Sequence, residues 1–592
     1  MLMKLIGTMS ELLLPYILEY LIDEIVPRQE FLQIAFWGLL MVVGAVCCWQ
    51  INIRANRRGI NNAHNVSYNV RRDLFNKTAN LSGAQFDAVG LPSLTSRMTS
   101  DSYNVQSFVQ SFQTLFVRAP ITLIGGITVT MTMDPVLSGI LCVMLPILLL
   151  VIVLVSRHGI PLYHRVQERL DEVVRVMREN ISGIRVVKAL SKTEYEKQRF
   201  HACNEKMTED DIKASTFMAI PGPFMQLCLN TGLTLVVIVG AVRVNNGAIK
   251  PGVILAFLTY FNMIMQSVMA LNRLFMMISK ASASADRIAS VLQIEDDQKV
   301  LSADEAGTLP EGEDGYIVFD HVGFRYEENR LHETSKNVRR PSPDETAEGS
   351  GSGGAPAFDG FAGSLREQCL YDISFRIRKG ESLGIIGPTG CGKTTILNLL
   401  MRFYDAESGH IFVDGRDVRT YEKDALHRKF GVAFQNDIIF QDSLRNNISF
   451  GREVGEKDLE RAVEDAMASE FIRNLEDGLD HMADIKGANL SGGQKQRLLI
   501  SRALASRPEI LVLDDSSSAL DYKTDAALRK AIRENYQDCT TILIAQRVSS
   551  VMNMTNILVM DNGRCIGYGN HEELLRTCPV YRETYEMQMG AI

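Results

Sequence analysis

Six apolar stretches crowd the first 280 or so residues and decide what this chain can become. They lie at roughly 3–25, 32–53, 112–133, 135–157, 214–244 and 252–279. Each is near the ~20 residues a helix needs to cross a bilayer. In lipid every backbone polar group must be satisfied within the protein, so stretches of this length predict a bundle of six membrane helices. The third and fourth are parted only by Met133-Asp134-Pro135, which predicts a tight hairpin. A buried soluble helix is the alternative for any one stretch, but 135–155 carries almost no polar residue. Only a few residues precede Glu11-Leu-Leu-Leu-Pro15, so either the chain lacks a surface lead-in helix or its start lies downstream of the natural one.

Basic residues orient the bundle. The connection after the second stretch carries Arg54, Arg57, Arg58, Arg71, Arg72, Lys77 and Arg97, and that after the fourth carries Arg157, Arg165, Arg169, Arg175, Arg178, Arg185 and Lys188. The positive-inside rule puts both connections, and everything after the sixth stretch, in the cytoplasm. Both read as long helices, so the spans are expected to project beyond the bilayer. Polar residues within the spans are few: Arg118, Gln226, Asn230, Asn262, Gln266 and Asn272. Such groups face a bundle interior or a watery cavity. The last span also carries Met263, Met265, Met269, Met276 and Met277, flexible side chains that suit repacking around varied apolar ligands. Ordinary helix–helix contact is the plainer reading of each.

The chain is expected to divide into a membrane domain over 1–284, a polar linker over 285–315 and a cytoplasmic domain over 316–592. The low-complexity stretch 328–365, with Pro341-Ser-Pro343 and Gly349-Ser-Gly-Ser-Gly-Gly354, cannot bury enough apolar area to order itself and reads as a disordered insertion. Net charge is −8, which gives no polybasic footprint for nucleic acid. The ten cysteines show no zinc or disulfide spacing.

In the cytoplasmic half, Gly387-Pro388-Thr389-Gly390-Cys391-Gly392-Lys393-Thr394-Thr395 fits G-x-x-x-x-G-K-[ST]. It stands between a strand-like Leu383-Gly-Ile-Ile386 and a helix-like Ile396-Leu-Asn-Leu-Leu-Met401, the setting a phosphate-binding loop requires. Glycines let backbone N–H groups close around a phosphate chain, and the helix N-terminus adds positive potential. Lys393 is placed to reach the β- and γ-phosphates of ATP, and Thr394 to help hold Mg²⁺. Phe430-Gly-Val-Ala-Phe-Gln435, Ile510-Leu-Val-Leu-Asp514 and Thr541-Ile-Leu-Ile-Ala-Gln546 read as buried strands ending in polar residues. Ligands of open α/β sheets bind beyond such strand ends, so Gln435, Asp514 and Gln546 join the candidate site. Asp514 is the type of carboxylate that holds Mg²⁺ through water.

With Leu490-Ser491-Gly492-Gly493-Gln494 between the phosphate loop and the Asp514 strand, the chain resembles an ATP-binding cassette exporter half-transporter over nearly its whole length. The resemblance implies a type I exporter fold: a six-helix membrane bundle, then an α/β P-loop domain with an antiparallel β subdomain and a helical subdomain. It implies that Tyr326 stacks on adenine, that Gln435 reaches Mg²⁺ alongside Thr394 and Asp514, and that Asp521 lies at a dimer seam. It implies two coupling regions, one around Phe86-Asp87, Ser96-Arg97 and Asp101, the other around Val187-Lys-Ala-Leu190, Glu194 and Phe200. It also implies that Ser491, Gly492, Gly493 and Gln494 close on ATP held by a second half-transporter.

Three positions depart from the family pattern. Asp515 stands where the family has a glutamate base, Gln546 where it has a histidine, and Ile485 where exporters have a glutamate. Asp515 and Gln546 thus occupy the catalytic positions of a degenerate site. A carboxylate one methylene shorter cannot hold water in the same place, and a displacement of ~1 Å costs up to ~10²-fold. Glutamine cannot carry a proton or a charge. The expectation is a heterodimer: this chain binds ATP at a degenerate site and lends an intact signature to a partner, exporting amphipathic small molecules of multidrug type from the lipid bilayer. The alternatives are a slow homodimeric exporter of lipids or peptides, and a nucleotide-gated regulatory or sensor subunit.

Overall fold

The structure is a computed structural model that describes residues 1–302, 305–309, 314–326, 368–435, 437–516 and 519–590; the side chains of 272, 273, 275 and 276 are not among those described. The expected insertion at 328–365 lies outside the described residues. The chain forms two compact units, one of Met1–Lys77 with Leu94–Gln293, the other of Thr78–Ser93 with Ile294–Ile592.

Among the described residues, six helices are long and apolar enough to cross a membrane, and all but residues 78–79 and 91–93 of them lie in the first unit: Leu2–Arg28, Phe31–Ala79, Leu91–Met133, Pro135–Ser182, Thr193–Asn245 and Pro251–Leu271. The second and fourth run for 49 and 48 residues. At ~1.5 Å per residue each is about 70 Å long, more than twice a ~30 Å hydrocarbon core. The helix of the last span continues to Leu292, so 285–292 is helix rather than loop. The hairpin between spans three and four is fixed chemically. Asp134 caps the fourth helix by accepting from Leu137 N at 2.8 Å, and Pro135 occupies the first turn. The same buried carboxylate takes Arg243 at 2.7 Å from the end of the fifth helix. Packing is close where small residues allow it: a Cβ on Gly232 would lie 2.1 Å from the Phe261 ring. Leu141, Leu145, Leu148 and Ile152, one stripe of the fourth helix, meet Tyr260, Phe261 and Ile264 in the bundle core.

Among the described residues the second unit carries ten strands in two sheets. Strands β1 (Ile317–Arg325), β2 (Gln368–Ile377), β4 (Ser408–Val413) and β5 (Arg416–Asp417) form an antiparallel sheet in the order β2-β1-β4-β5. Strands β3 (Ser382–Ile386), β6 (Phe430–Ala433), β7 (Ile510–Asp514), β8 (Thr540–Ile544), β9 (Asn556–Asp561) and β10 (Arg564–Gly569) form the other, in the order β10-β9-β3-β8-β7-β6. There β3, β6, β7, β8 and β9 are parallel and β10 is antiparallel. Strand β1 runs unbroken from Ile317 to Arg325, with register shifts against β2 after Phe319. Every residue of β7 and β8 is buried, as expected for parallel strands covered on both faces. Truncating one such side chain, for instance Leu511→Ala, is expected to cost ~2–5 kcal/mol. Helices Leu444–Ser449, Glu456–Asp465, Ser469–Arg473 and Gly492–Leu504 build the helical part, whose core is continuous with one face of the sheet. Register aligns β7 with β8 at Asp514↔Ile544 and β6 with β7 at Ala433↔Leu513. The C-terminal ends of three strands therefore meet at one edge, beside the turn that follows β3.

Candidate nucleotide site

The loop after β3 folds as its glycines dictate. Gly390 and Gly392 have φ of +85° and +97°, a region that side chains disfavour. At Gly387 a Cβ would lie 2.2 Å from the Met560 carbonyl oxygen. Gly392 then starts the helix Lys393–Leu400 with no side-chain cap, so its first N–H groups are not capped by a neighbouring hydroxyl or carboxylate. Lys393 Nζ lies over the loop, donating to the carbonyls of Gly387 and Pro388 at 2.8 and 2.7 Å. The Cys391 thiol is buried 3.8 Å from that ammonium, and burial pushes its pKa up.

Beyond the strand ends is a pocket of about 190 Å³. Of the residues singled out in the sequence, Thr389, Gly390, Gly392, Lys393, Thr394, Thr395, Gln435, Asp514, Asp515 and Gln546 line it. Thr394 Oγ1 donates to Asp514 Oδ2 at 2.9 Å. Asp515 stands differently. Its backbone has φ +47°, and Oδ2 accepts from both Gln546 Nε2 at 2.9 Å and Gln435 Nε2 at 3.1 Å. Burial raises the pKa of Asp514 against the Thr394 bond, with the neighbouring Asp515 charge adding to it. Burial also raises that of Asp515, opposed by the Gln546 bond and the Lys393 charge. No group of three or more His, Cys, Asp or Glu side chains is placed to hold a metal among the described residues. The donor set here, Thr394, Gln435 and Asp514, instead fits a Mg²⁺ that completes its shell with phosphate oxygens and water. The uncapped helix start, the glycine cradle and the ammonium likewise fit a polyphosphate.

Tyr326 is not in the pocket wall but is bonded to Thr395, which is. Its hydroxyl donates to Thr395 Oγ1 at 3.2 Å and accepts from Asn398 Nδ2 at 3.4 Å, and its ring meets Tyr404 edge-on at 5.2 Å. The other expected residues are not in the pocket. Ser491 caps the helix Gly492–Leu504 reciprocally with Gln494, at 3.3 and 2.8 Å, and Ser491 and Gly492 are exposed. Asp521 caps Tyr522–Asn535 through Thr524 N at 3.0 Å. Ile485 is 65% exposed.

Two features escaped the sequence reading. Cys369 lines the pocket, with Sγ 3.3 Å from Thr395 Oγ1; strand alternation across Leu370, a core residue, carried that signal. Tyr404 donates its hydroxyl to Asp87, because the stretch expected to be the first coupling region packs in part within this unit. There the short helix Gly83–Val89 has Gly83 N on the Phe403 carbonyl at 2.9 Å, Ser82 Oγ on Asp297 at 2.8 Å and Gln85 Nε2 on the Glu295 carbonyl at 2.7 Å. Arg97 and Asp101 belong to the membrane unit, where Arg287 Nε donates to buried Asp101 at 3.0 Å. So does the second coupling stretch, which includes the short helix Ile184–Ala189.

The membrane unit has a pocket of its own, about 410 Å³, with Arg118, Gln266, Met263 and Met269 in its wall.

Comparison with known proteins agrees with both halves. Residues 1–268 match the family of the ABC transporter transmembrane region, and 370–518 match the ABC transporter family. YfiB of Bacillus subtilis, described as an ABC transporter ATP-binding protein, is 31% identical over 98% of this chain and 94% of its own length. An ATP-dependent lipid A-core flippase of Syntrophus aciditrophicus is 30% identical over 84% of this chain and 76% of its own. Among solved structures, a bacterial Atm1-family ABC exporter with ATP bound superposes with a TM-score of 0.77, covering 99% of this chain and 97% of its own at 21% identity. The chain belongs to the ATP-binding cassette transporter family, as a multi-pass exporter half-transporter whose ATP-binding domain is cytoplasmic.

Proposed function

We propose that this chain is the degenerate-site subunit of a heterodimeric exporter of amphipathic molecules. One observation carries the reading. The carboxylate in the base position, Asp515, is one methylene short and is gripped on one oxygen by two amides, Gln435 and Gln546. Nowhere in the pocket wall, among the described residues, is there a histidine. ATP bound here supplies the phosphoanhydride whose binding and cleavage drive transport. Lys393 and the loop N–H groups would bind its phosphates, Thr394, Asp514 and Gln435 would hold Mg²⁺, and Asp515 is left to orient water from too far back. Retention of the nucleotide follows more readily than turnover.

The signature supports the complementary role. Ser491 and Gly492 stand exposed at the start of a helix of 13 residues, an anion site outside the chain's own pocket. A partner with glutamate and histidine at the two catalytic positions would receive it. Amphipathic cargo is supported by the Met-bearing membrane pocket and by the lipid substrate named for the flippase relative.

The test is ATPase activity of this chain co-expressed with its partner cassette subunit and reconstituted in lipid, comparing Asp515→Asn with Glu→Gln at the partner's base. Loss of turnover only with the partner's change is the expected result. Loss with Asp515→Asn, or full turnover by this chain alone, would make Asp515 a working base and end the heterodimer reading.

A further inference from the structure

The membrane unit holds a charge arrangement that the nucleotide chemistry does not use. Arg118 lies one residue into the helix Val117–Met133, which ends at the Asp134 turn. At ~1.5 Å per residue it is about 24 Å from that turn. In a ~30 Å hydrocarbon core this is the depth of the cytoplasmic leaflet, just inside its headgroups. Arg118 is in the wall of the 410 Å³ pocket, which Gln266, Ser267, Met225, Met263 and Met269 also line.

Its partner is Glu11 of the first span, 2.5 Å from one guanidinium nitrogen. Glu11 is not part of the pocket wall. A guanidinium has five N–H donors in a fork made for oxyanions, so this single contact leaves donors for a second acid group. Two helical turns before Glu11, about 10 Å along the same face, is Lys4. It is buried to 6% exposure and held by Asn52 Oδ1 at 2.8 Å and Asn56 Oδ1 at 3.2 Å of the second helix. Two cations and one carboxylate leave this corner with a single surplus positive charge. Ionisable groups at this depth are costly and are kept for function.

We propose that this pocket takes the headgroup of an amphiphile bearing one anionic group, a phosphate or a carboxylate, from the cytoplasmic leaflet. Arg118 is the binding residue. Glu11 is a stand-in that holds the guanidinium until the ligand's oxyanion displaces it, and Lys4 supplies the field that makes the exchange favourable. The alkyl tail runs along the methionines, whose flexible side chains adapt to it. The inference names the class of cargo and so rests on the reading of the chain as an amphiphile exporter.

Binding is measured without nucleotide, using radiolabelled dodecyl phosphate and the full-length chain, with its partner where the two co-purify. The protein is held in phosphatidylcholine nanodiscs, with empty discs subtracted. Dodecyl maltoside and dodecyltrimethylammonium serve as neutral and cationic competitors. Arg118→Gln is expected to weaken dodecyl phosphate at least 10-fold and Arg118→Lys to restore part of that loss. Glu11→Gln, which removes the stand-in, is expected to tighten it about 3- to 10-fold. Dodecyl maltoside should stay within 2-fold in every variant. Adding 20% phosphatidylglycerol separates the sources: competition marks a bilayer lipid as the ligand, and its absence marks a foreign amphiphile.

Equal loss of the neutral and anionic ligands on Arg118→Gln, weaker anion binding on Glu11→Gln, or preference for the cationic competitor would each overturn the proposal. ATP-driven movement of dodecyl maltoside across the bilayer, measured separately, would keep the export reading alive even then. Arg118-dependent anion binding without any ATP-driven flux would instead sink the export reading and leave this one standing.

Discussion

The phosphate loop and the signature turn both stand at a helix start, each a candidate anion site, and they differ in what surrounds them. At the phosphate loop the start is uncapped, and Lys393, Thr394, Gln435, Asp514, Asp515 and Gln546 all converge on one pocket. At the signature, Ser491 and Gln494 cap one another and the turn is exposed, with none of that pocket's side chains around it. One site is chemically crowded within its own chain and carries the two departures from the family pattern. The other keeps its motif intact and offers nothing but N–H groups and a hydroxyl. On the proposed reading, binding and completing are separate tasks assigned to separate surfaces of one cassette, and damage to one need not be damage to the other.

The largest effect expected of that asymmetry comes from Ser491→Arg. In the co-expressed pair it should abolish ATP turnover by at least ~10²-fold, as removal of a transition-state donor does, while Asp515→Asn moves it less than about 2-fold. Measured phosphate release decides between them; equal losses would erase the distinction between the surfaces. Next in size is a gain. Asp515→Glu combined with Gln546→His should raise turnover at this chain's own site by up to ~10²-fold, the factor that a ~1 Å displacement of water costs. The gain works against the backbone, since Asp515 sits at φ +47°, where short Asp is better tolerated than longer side chains. A single-site assay with the partner's base disabled reads it. Third, Asp514→Asn should weaken Mg²⁺-dependent nucleotide binding about 10-fold and leave Mg²⁺-free binding nearly unchanged. Titration with a fluorescent ATP analogue, with and without Mg²⁺, checks it.

How much of this was legible follows from what periodicity encodes. The six spans, the strand ending at Asp514, and the pocket membership of Lys393, Thr394 and Gln546 were readable, because burial repeats and strand-end polarity are local signals, although the strand expected to end in Gln435 stops at Ala433. That Gln435 and Gln546 share one oxygen of Asp515 was not, since partner choice across β6, β7 and β8 depends on sheet order. Neither was the pairing of Lys4 with Asn52 and Asn56, or of Glu11 with Arg118. Helical spacing gives the face a residue occupies but not the residue that faces it from another helix. The allocation of Thr78–Ser93 to the cassette unit was also hidden, because 78–93 is made of short helices whose partners, Phe403 and Tyr404, lie more than 300 residues away.

The smallest effect concerns that last contact, and it sharpens the contrast by asking what else the pocket touches. Tyr404 has two separable attachments. Its ring meets the Tyr326 ring edge-on at 5.2 Å, and its hydroxyl donates to Asp87 of the coupling stretch. Burial, with the Asp87 carboxylate adding to it, pushes the Tyr404 pKa far up, so it remains a donor across the physiological range. Tyr404→Phe removes the hydrogen bond and keeps the ring. At this half-buried site the loss is about 1 kcal/mol, read as a lower thermal midpoint of the cassette, with ATP affinity unchanged within about 2-fold. Tyr404→Ala also removes the ring that backs Tyr326, and should weaken ATP several-fold. If Tyr404→Phe weakens ATP as much as Tyr404→Ala does, then the bond to Asp87 positions Tyr326. The pocket then extends into the coupling stretch, a reach that has no counterpart at the signature turn.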